Sequence, residues 1–328
     1  MKKRSYSKKR VRWKTNKTWS RGKQTIIALV LVGPTAVGKT EISLDLAGEN
    51  CEIVSADSVQ VYRYLDIGSC KPGTHERGLV SHHMIDVVNP DFPFTAGEYC
   101  RRAAVTCDEI EARGKYPLFV GGTGLYIDSF FQGLADIPEI EESVRENLMD
   151  ELQERGLLSL FRELMAADRE FASRVHENDR QRILRGLEVF RGTGRPISSF
   201  YSDKKGHETD GTLYLGLFED REILKKRIDE RVDSMIESGL VEEVEGLRKM
   251  GYGPGLKSMR SIGYREINSY LDGVCTLDNC IETIKRETKK YAKRQMTWFR
   301  KNSRIHWFRR EERKSLFCLV QSHLLKYT

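Results

Sequence analysis

The stretch Gly33–Thr40, GPTAVGKT, decides the fold of this chain. It fits the pattern G-x-x-x-x-G-K-[ST], follows the apolar run 26–32 and precedes the helix-compatible segment 41–47. In this context the glycines free backbone amides to turn inward, and the start of the helix favours an anion. Lys39 supplies charge for the terminal phosphates, and Thr40 is placed to hold Mg²⁺. The stretch predicts a phosphate-binding loop but leaves the phosphate compound open.

The residues predicted to bind a diphosphate or nucleotide form one continuous loop. They are Gly33, Pro34, Thr35, Ala36, Val37, Gly38, Lys39 and Thr40.

The positive charge of the chain is concentrated at its beginning. The net charge of the 328 residues is +7, whereas residues 1–24 contain eleven Lys or Arg and no acid. The other residues therefore carry a net charge of −4, the difference between +7 and +11. This composition predicts a disordered basic arm that contacts nucleic acid electrostatically, with an organellar transit peptide as the alternative. A secretory signal is excluded, because the apolar run 26–32 leads straight into the phosphate loop.

The composition also indicates where the protein works. No apolar run approaches the roughly 18 residues that a membrane span requires. The seven cysteines are odd in number and form no C-x-x-C pair, which favours reduced thiols over a disulfide frame or a zinc site. We therefore expect a cytoplasmic protein with no membrane contact.

Alternating strand and helix patterns predict a parallel, helix-flanked sheet. Predicted strands cover residues 26–32, 52–55, 82–88, 117–120, 212–218 and 305–308, and the clearest helices cover residues 96–113, 221–238 and 277–301. The fold class is therefore α/β, a P-loop NTPase-like sheet with a helical insertion. The predicted parts are the arm 1–24, the core 25–137 and 206–310 with a helical C-terminal portion, the insertion 138–205, and a tail 311–328 of unknown role.

The last long helix carries two basic rows. Lys285, Lys289 and Lys293 step by four residues, and so do Arg286, Lys290 and Arg294. Like charges at this spacing repel, so a polyanion facing them would relieve a real cost. A solvated surface is the alternative for such a run.

Two positions at strand ends are candidates for chemistry. Asp57 follows the strand 52–55, where a carboxylate can hold Mg²⁺ or accept a proton, and a turn-capping residue is the alternative. Thr123 stands in a glycine-rich loop where a hydroxyl can reach a leaving group, and a helix cap is its alternative. His82 and His83 are adjacent in a predicted strand and point to opposite faces, which argues against a shared metal.

The strand 117–120 ends in glycines instead of the Asp that many nucleotide-hydrolysing P-loop proteins use for Mg²⁺. This absence makes nucleotide hydrolysis a weaker interpretation than use of the loop to hold another pyrophosphate.

The chain resembles the bacterial tRNA dimethylallyltransferases, also called tRNA isopentenyltransferases of the IPP transferase family. The resemblance covers roughly residues 26–310, in the same order and at about the same spacings. The matching segments are GPTAVGKT, SADSVQVYRYLDIGSCKP, HHMIDV, VGGTGLY, NDRQRILRGLEVF, RVDSMIESGLVEEV, RSIGYRE and KRQMTWFRK.

The resemblance implies transfer of a dimethylallyl group from dimethylallyl diphosphate to the exocyclic amine of an adenine. That adenine lies just 3′ of the anticodon in tRNAs that read codons beginning with U. Asp57 is then the general base, Thr123 contacts the departing diphosphate, and Lys39 with Mg²⁺ at Thr40 stabilises its charge. Lys289 stands where many relatives have an Arg, so bidentate contact with the diphosphate is lost there while charge is kept.

The resemblance also implies positions that face the anticodon stem-loop, with the insertion and the basic helix gripping it. They are Asp57, Ser58, Val59, Gln60, Thr123, Arg145, Gln181, Arg182, Ile183, Leu184, Arg185, Arg260, Gly263, Tyr264, Arg265, Lys293, Arg294, Gln295 and Arg300.

We expect the tRNA-modifying enzyme to be a monomer. Three other functions stay open at this point. A P-loop kinase of a small molecule would turn over ATP without RNA and need an arginine-bearing lid. An enzyme that prenylates free adenine nucleotides would not need the extended basic surface. A non-catalytic RNA-binding protein would have no reason to keep Lys39, Thr40, Asp57 and Thr123 intact.

Overall fold

A single parallel sheet organises the molecule. The computed structural model describes residues 27–201 and 211–327. The strands in these residues are β1 (Ala28–Val32), β2 (Cys51–Ala56), β3 (His82–His83), β4 (Tyr116–Gly121), β5 (Thr212–Phe218) and β6 (His306–Arg309). They pair in parallel in the order β3-β2-β4-β1-β5-β6, with β1 buried between β4 and β5. The predicted α/β fold class is confirmed.

Helices flank the sheet and continue beyond it. In the described ranges they are α1 (Lys39–Ala47), α2 (Thr74–Leu79), α3 (Ala96–Ala112), α4 (Gly124–Gln132), α5 (Glu142–Ala167), α6 (Arg169–Ala172), α7 (Arg180–Thr193), α8 (Arg221–Glu237), α9 (Leu240–Lys249), α10 (Tyr264–Leu271), α11 (Leu277–Phe299) and α12 (Arg313–Leu324). At the start of α3 the Thr95 side chain accepts from the Glu98 amide and so caps the helix.

The third strand is much shorter than the predicted 82–88. It ends at His83, because Met84 and Asp86 have positive φ angles of 62° and 57° that interrupt an extended chain. Lys71 holds the Asp86 carboxylate at 2.6 Å and so fixes the turn. The chain rejoins the strand pattern only at Val88, through a single bridge to Tyr62.

The described residues form two compact units, 27–128 with 211–327 and 129–201. The smaller unit overlaps the predicted insertion and has no strand in its described residues. Its core contains Leu160, Leu164 and Leu187 from α5 and α7, each fully buried. Arg191 bridges Glu151 and Glu163 at 2.6 Å, so the same two helices are also joined by a charge network.

The C-terminal residues belong to the core of the larger unit. Leu316, Val320 and Leu324 line one face of α12 and pack in the same hydrophobic cluster as Ile42 of α1. Arg313 adds an ion pair to Asp45 of α1 at 2.8 Å. The tail 311–328 had no assigned role; its described residues, 311–327, therefore support the helix that follows the phosphate loop.

Three further features considered in the sequence are the cysteines, membrane-spanning segments and the basic arm. All seven cysteines are free thiols. No helix within 27–201 or 211–327 is both long and apolar enough to cross a membrane. The basic arm 1–24 lies outside the described residues.

Candidate active site

The phosphate loop, Asp57 and Thr123 lie together at the carboxyl ends of neighbouring parallel strands. They follow β1, β2 and β4, and β4 lies between the other two strands. A cleft of about 890 Å³ opens along these strand ends. The predicted site residues that line it are Thr35, Ala36, Gly38, Lys39, Thr40, Asp57, Ser58, Val59, Gln60, Arg260, Arg294 and Gln295.

The phosphate loop is closed by its own lysine. Lys39 Nζ donates to the carbonyl oxygens of Gly33 and Pro34, both at 2.8 Å. Desolvation, together with the nearby Arg231, lowers the pKa of Lys39 to about 7 against the opposing charge of Asp57. The ammonium is therefore only partly charged near neutral pH, and an anion in the loop would restore its charge.

The residues around Thr40 suit a magnesium ion that arrives with a diphosphate. Thr40 is exposed in the first turn of α1. Within the described residues no group of three or more His, Cys, Asp or Glu side chains is arranged to hold a metal. Mg²⁺ at phosphate sites keeps several waters and uses few protein ligands, with phosphate oxygens completing its shell. One hydroxyl beside a phosphate loop fits that mode of binding.

Asp57 combines a structural and a chemical position. Its Oδ1 accepts hydrogen bonds from the amides of Val59 at 2.8 Å and Gln60 at 3.2 Å, so it caps the turn after β2. Oδ1 therefore caps the turn, as the alternative interpretation of Asp57 predicted. Among the described residues Oδ2 has no hydrogen-bond partner, and Asp57 lines the cleft. One oxygen fixes the carboxylate while the other can accept a proton.

Thr123 links the loop after β4 to the turn after β2. Its Oγ1 accepts from the Ser58 amide at 3.0 Å. Tyr291 of α11 contacts the same hydroxyl, and burial with the Asp57 charge raises the pKa of Tyr291 to about 12. Thr123 is thus held next to Asp57 by one backbone amide and one neutral phenol.

Gln295 of α11 fastens two loops together. Its Oε1 accepts from the Thr35 amide at 2.9 Å, and its Nε2 donates to the Gly122 carbonyl at 3.0 Å. A methyl group at Gly122 would lie 2.0 Å from Gln295 Nε2, so this approach requires glycine. Gln295 was predicted to face RNA, and its main contacts are instead to the phosphate loop and the loop after β4.

The first basic row of α11 is largely neutralised inside the protein. Lys285 pairs with Asp233 at 2.7 Å and Lys289 pairs with Asp229 at 2.6 Å, both on α8. The expectation of one broad positive face is therefore corrected, because α8 supplies the anions for these two lysines. Lys289 lies outside the cleft lining.

Besides Gln295, three predicted RNA-facing residues are buried. Ile183 is fully buried in the core of the smaller unit, so its side chain cannot contact a substrate. Gly263 is buried, and the Tyr264 ring is fully buried against Gly68. These expectations are corrected because the residues support the surfaces around them. Leu184 is half-buried, while Arg145, Gln181, Arg182, Arg185, Arg265, Lys293 and Arg300 are exposed.

Several residues of the cleft were not predicted. Arg231 of α8 donates to the Thr35 hydroxyl at 3.3 Å, and Arg227 lies one turn before it. Their spacing could have been recognised in the sequence, because two arginines four residues apart lie on the same face of a helix. Arg310 lies against the phosphate loop, since a methyl group at Gly38 would come within 3.4 Å of its side chain. Nothing local in the sequence indicated that contact.

Comparison with known proteins shows which family combines a phosphate loop with residues such as Asp57 and Thr123. The family model described as IPP transferase matches residues 60–302, and the model described as isopentenyl transferase matches residues 26–85. The chain belongs to the IPP transferase family. This transferase is 49% identical over 308 residues to the tRNA dimethylallyltransferase 2 of Geotalea uraniireducens, covering 93% of this chain and 98% of that protein. It is 46% identical to the tRNA dimethylallyltransferase of Geobacter sulfurreducens, covering 85% of this chain and 90% of that one.

Solved structures share the fold of this transferase. The full-length tRNA isopentenylpyrophosphate transferase of Bacillus halodurans superposes with a TM-score of 0.66 at 35% identity, covering 92% of this chain and 98% of that one. A eukaryotic dimethylallyltransferase acting on tRNA gives a TM-score of 0.70 at 29% identity, covering 84% of this chain and 70% of that one.

Proposed function

We propose that this transferase modifies tRNA by moving the dimethylallyl group of dimethylallyl diphosphate to N6 of an adenine. The acceptor is the adenine 3′-adjacent to the anticodon in tRNAs that read codons beginning with U, and diphosphate is released. The observation that carries the proposal is the convergence of a phosphate loop and one Asp57 oxygen in one cleft, with the Thr123 hydroxyl fixed beside Asp57 by the Ser58 amide. The relatives named as tRNA dimethylallyltransferases support it.

The donor would lie with its diphosphate on the loop. The amides of the loop, Lys39 and Arg231 would hold the phosphate oxygens, and Thr40 would hold Mg²⁺ beside them. The metal, when bound, neutralises charge on the leaving diphosphate. The proposed contact of Lys289 with diphosphate would require it to leave Asp229, so Arg231 is the better-placed cation.

The chemical step would be a displacement at the allylic carbon. The adenine N6 forms a bond to C1 of the dimethylallyl group, the C1–O bond to diphosphate breaks, and the amine proton passes to Asp57 Oδ2. Thr123 would orient the departing diphosphate from the loop after β4. Such a step needs little covalent help, so positioning and charge stabilisation supply most of the rate.

The acceptor base would have to leave the stack of the anticodon loop, at a cost of a few kcal/mol. Contacts to flanking nucleotides would offset this cost. The exposed arginines and lysines named above are the proposed contacts, together with the basic arm 1–24. We expect the protein to act in the cytoplasm as a monomer.

The deciding experiment is an assay of modified nucleosides. Purified protein receives Mg²⁺, dimethylallyl diphosphate and an unmodified tRNA with adenine at the proposed position, and mass spectrometry of the digested tRNA should show N6-dimethylallyl adenosine. A parallel reaction offers AMP as the acceptor, and another measures ATP turnover without RNA. Prenylated AMP with unmodified tRNA would favour the free-nucleotide enzyme, and ATP turnover alone would favour a kinase.

A further inference from the structure

Tyr64 is an exposed aromatic residue in an unfavourable backbone conformation. Its φ angle is 67°, in the left-handed region that favours glycine, and 47% of the residue is accessible to solvent. A non-glycine residue in this region costs about 1 kcal/mol or more. Such an arrangement persists only where the surrounding structure enforces it, and it turns the ring outward instead of burying it.

The loop that carries Tyr64 begins and ends in the cleft. Gln60 and Gly68 both line the cleft, and Tyr64 lies midway between them in sequence. Four residues span at most about 14 Å even when fully extended, so Tyr64 lies within that reach of both cleft residues. A nucleotide next to the one held in the cleft would pass close to this loop.

Both sides of the loop are fixed to other elements. On one side the Arg63 amide donates to the Val88 carbonyl at 2.8 Å. On the other side Glu243 of α9 accepts from the amides of Asp66 at 3.1 Å, Ile67 at 2.7 Å and Gly68 at 3.3 Å. The ring is therefore presented by a rigid frame.

A second ring joins Tyr64 from the turn that follows α9. Tyr252 stacks on it with centroids 6.4 Å apart and planes inclined by 23°. The Tyr252 amide donates to the Leu247 carbonyl at 2.9 Å, which fixes it to the helix that carries Glu243. Because α9 also holds the loop, both rings rest on one frame. This spacing is that of an offset pair, which leaves aromatic surface uncovered.

The surroundings of the ring pair suit a nucleotide. Arg63, which precedes Tyr64, is exposed and donates to the Asp86 carbonyl at 3.1 Å, and Lys249, the last residue of α9, is exposed as well. Two acids lie close to the rings, and both have partners: Asp66 is paired with Lys71 at 2.7 Å, and Glu243 accepts from the loop amides. Exposed aromatic rings beside basic side chains are the usual means of holding unstacked bases, because every base has a π face.

We propose that Tyr64 and Tyr252 form a stacking surface for the base of a nucleotide adjacent to the target adenine. The proposal rests on the tRNA-directed function proposed above. It adds a contact that would help to hold the anticodon loop open once the adenine has entered the cleft.

The test uses Tyr64→Gly, because glycine suits the positive φ and should not lower the melting temperature. We expect tRNA affinity to fall about ten-fold, with KM for dimethylallyl diphosphate unchanged, while Tyr64→Phe stays near the wild type. Phe92→Ala, which removes another exposed aromatic side chain, serves as the matched control.

Anticodon stem-loops lacking the base on either side of the target adenine complete the test. Removing the stacked base should weaken binding to the wild type but add no further loss in Tyr64→Gly. Unchanged tRNA affinity in Tyr64→Gly, or equal losses with every abasic substrate in both proteins, would overturn the stacking role. If the wild type bound and modified no tRNA, the proposed function would fail as well, so the two failures can be told apart.

Discussion

The amide of Thr35 in the phosphate loop donates to the side-chain oxygen of Gln295 at 2.9 Å, across 260 positions of sequence. The other end of the same side chain donates to Gly122 in the loop after β4. Two of the three loops that build the cleft are therefore held at a fixed separation by one buried amide group.

Replacing Gln295 with Met should loosen the cleft without changing the volume of the side chain much. The Thr35 amide and the Gly122 carbonyl would both lose a partner, at about 1–3 kcal/mol for a buried group left unsatisfied. We expect a ten-fold or greater loss of kcat/KM and weaker diphosphate binding by calorimetry. Gln295→Glu keeps the acceptor for the Thr35 amide, so its kcat/KM should lie between those of the wild type and Gln295→Met. Unchanged diphosphate affinity in Gln295→Met would contradict the proposed role.

Asp57→Asn should separate chemistry from binding. The amide oxygen of Asn can still accept from Val59 and Gln60, so the turn should survive while the proton acceptor is lost. We expect turnover to fall about 100-fold or more, as for loss of a general base, with tRNA affinity almost unchanged. Asp66→Asn, an exposed carboxylate outside the cleft lining, is the control. Equal losses of turnover and affinity would mean that Asp57 binds the substrate.

Binding of diphosphate should take up a proton at Lys39. The pKa of Lys39 in the free protein is about 7, lowered by desolvation, so the group is mostly neutral at pH 8. A bound anion favours the ammonium, and proton uptake should approach one at pH 8 and vanish near pH 6. Titration calorimetry in buffers of different ionisation enthalpy measures this uptake. Lys39→Met should abolish it, and the same uptake in both proteins would reject the assignment.

Glu52 of β2 should make stability depend on acid pH. Burial alone would raise its pKa, but hydrogen bonds from Arg113, His83 and Lys115 outweigh that effect and lower it from 4.5 to about 2. The unfolded chain therefore binds the proton first as the pH falls, and the stabilisation, present above pH 4.5, is lost toward pH 2. We expect Glu52→Gln to cost about 2–3 kcal/mol at pH 7.

Urea unfolding at pH 7 and pH 3 tests this expectation. The difference in free energy of unfolding between the wild type and Glu52→Gln should be smaller at pH 3 than at pH 7. Asp108→Asn changes an exposed carboxylate and should have the same free energy of unfolding as the wild type at both pH values. A gap that stays constant between the two pH values would show that charge is not the cause.

Leu316→Ala should reveal how much the C-terminal helix contributes. Leu316 is 1% exposed in the same cluster as Ile42 of α1, so its truncation should cost about 2–5 kcal/mol. Leu325, 56% exposed just after α12, gives the matched control through Leu325→Ala, with a cost near zero. Chemical unfolding of both variants measures the difference. Equal stabilities would mean that α12 does not support the core.

Local patterns predicted the parts of the site that lie at strand ends. The phosphate loop, Asp57 and Thr123 each follow a strand whose apolar run is legible in the sequence, and parallel pairing brings such ends together. The contacts from Gln295, Arg231 and Arg310 were not predicted in this form, because they depend on how α8, α11 and the end of β6 pack on the loop. Packing also explains the error over Lys285 and Lys289, since their acidic partners are 52 and 60 residues away in sequence.

The place of β1 between β4 and β5 has a consequence for synthesis of the chain on the ribosome. Val32 is made early, whereas its neighbour Gly216 in β5 follows more than 180 residues later. At about 5–20 residues per second, this delay lasts roughly 10–40 s. Throughout it, one edge of the strand that leads into the phosphate loop has no β5 to pair with. The nascent chain is therefore exposed to aggregation until its second half emerges, and it should engage a chaperone during that interval.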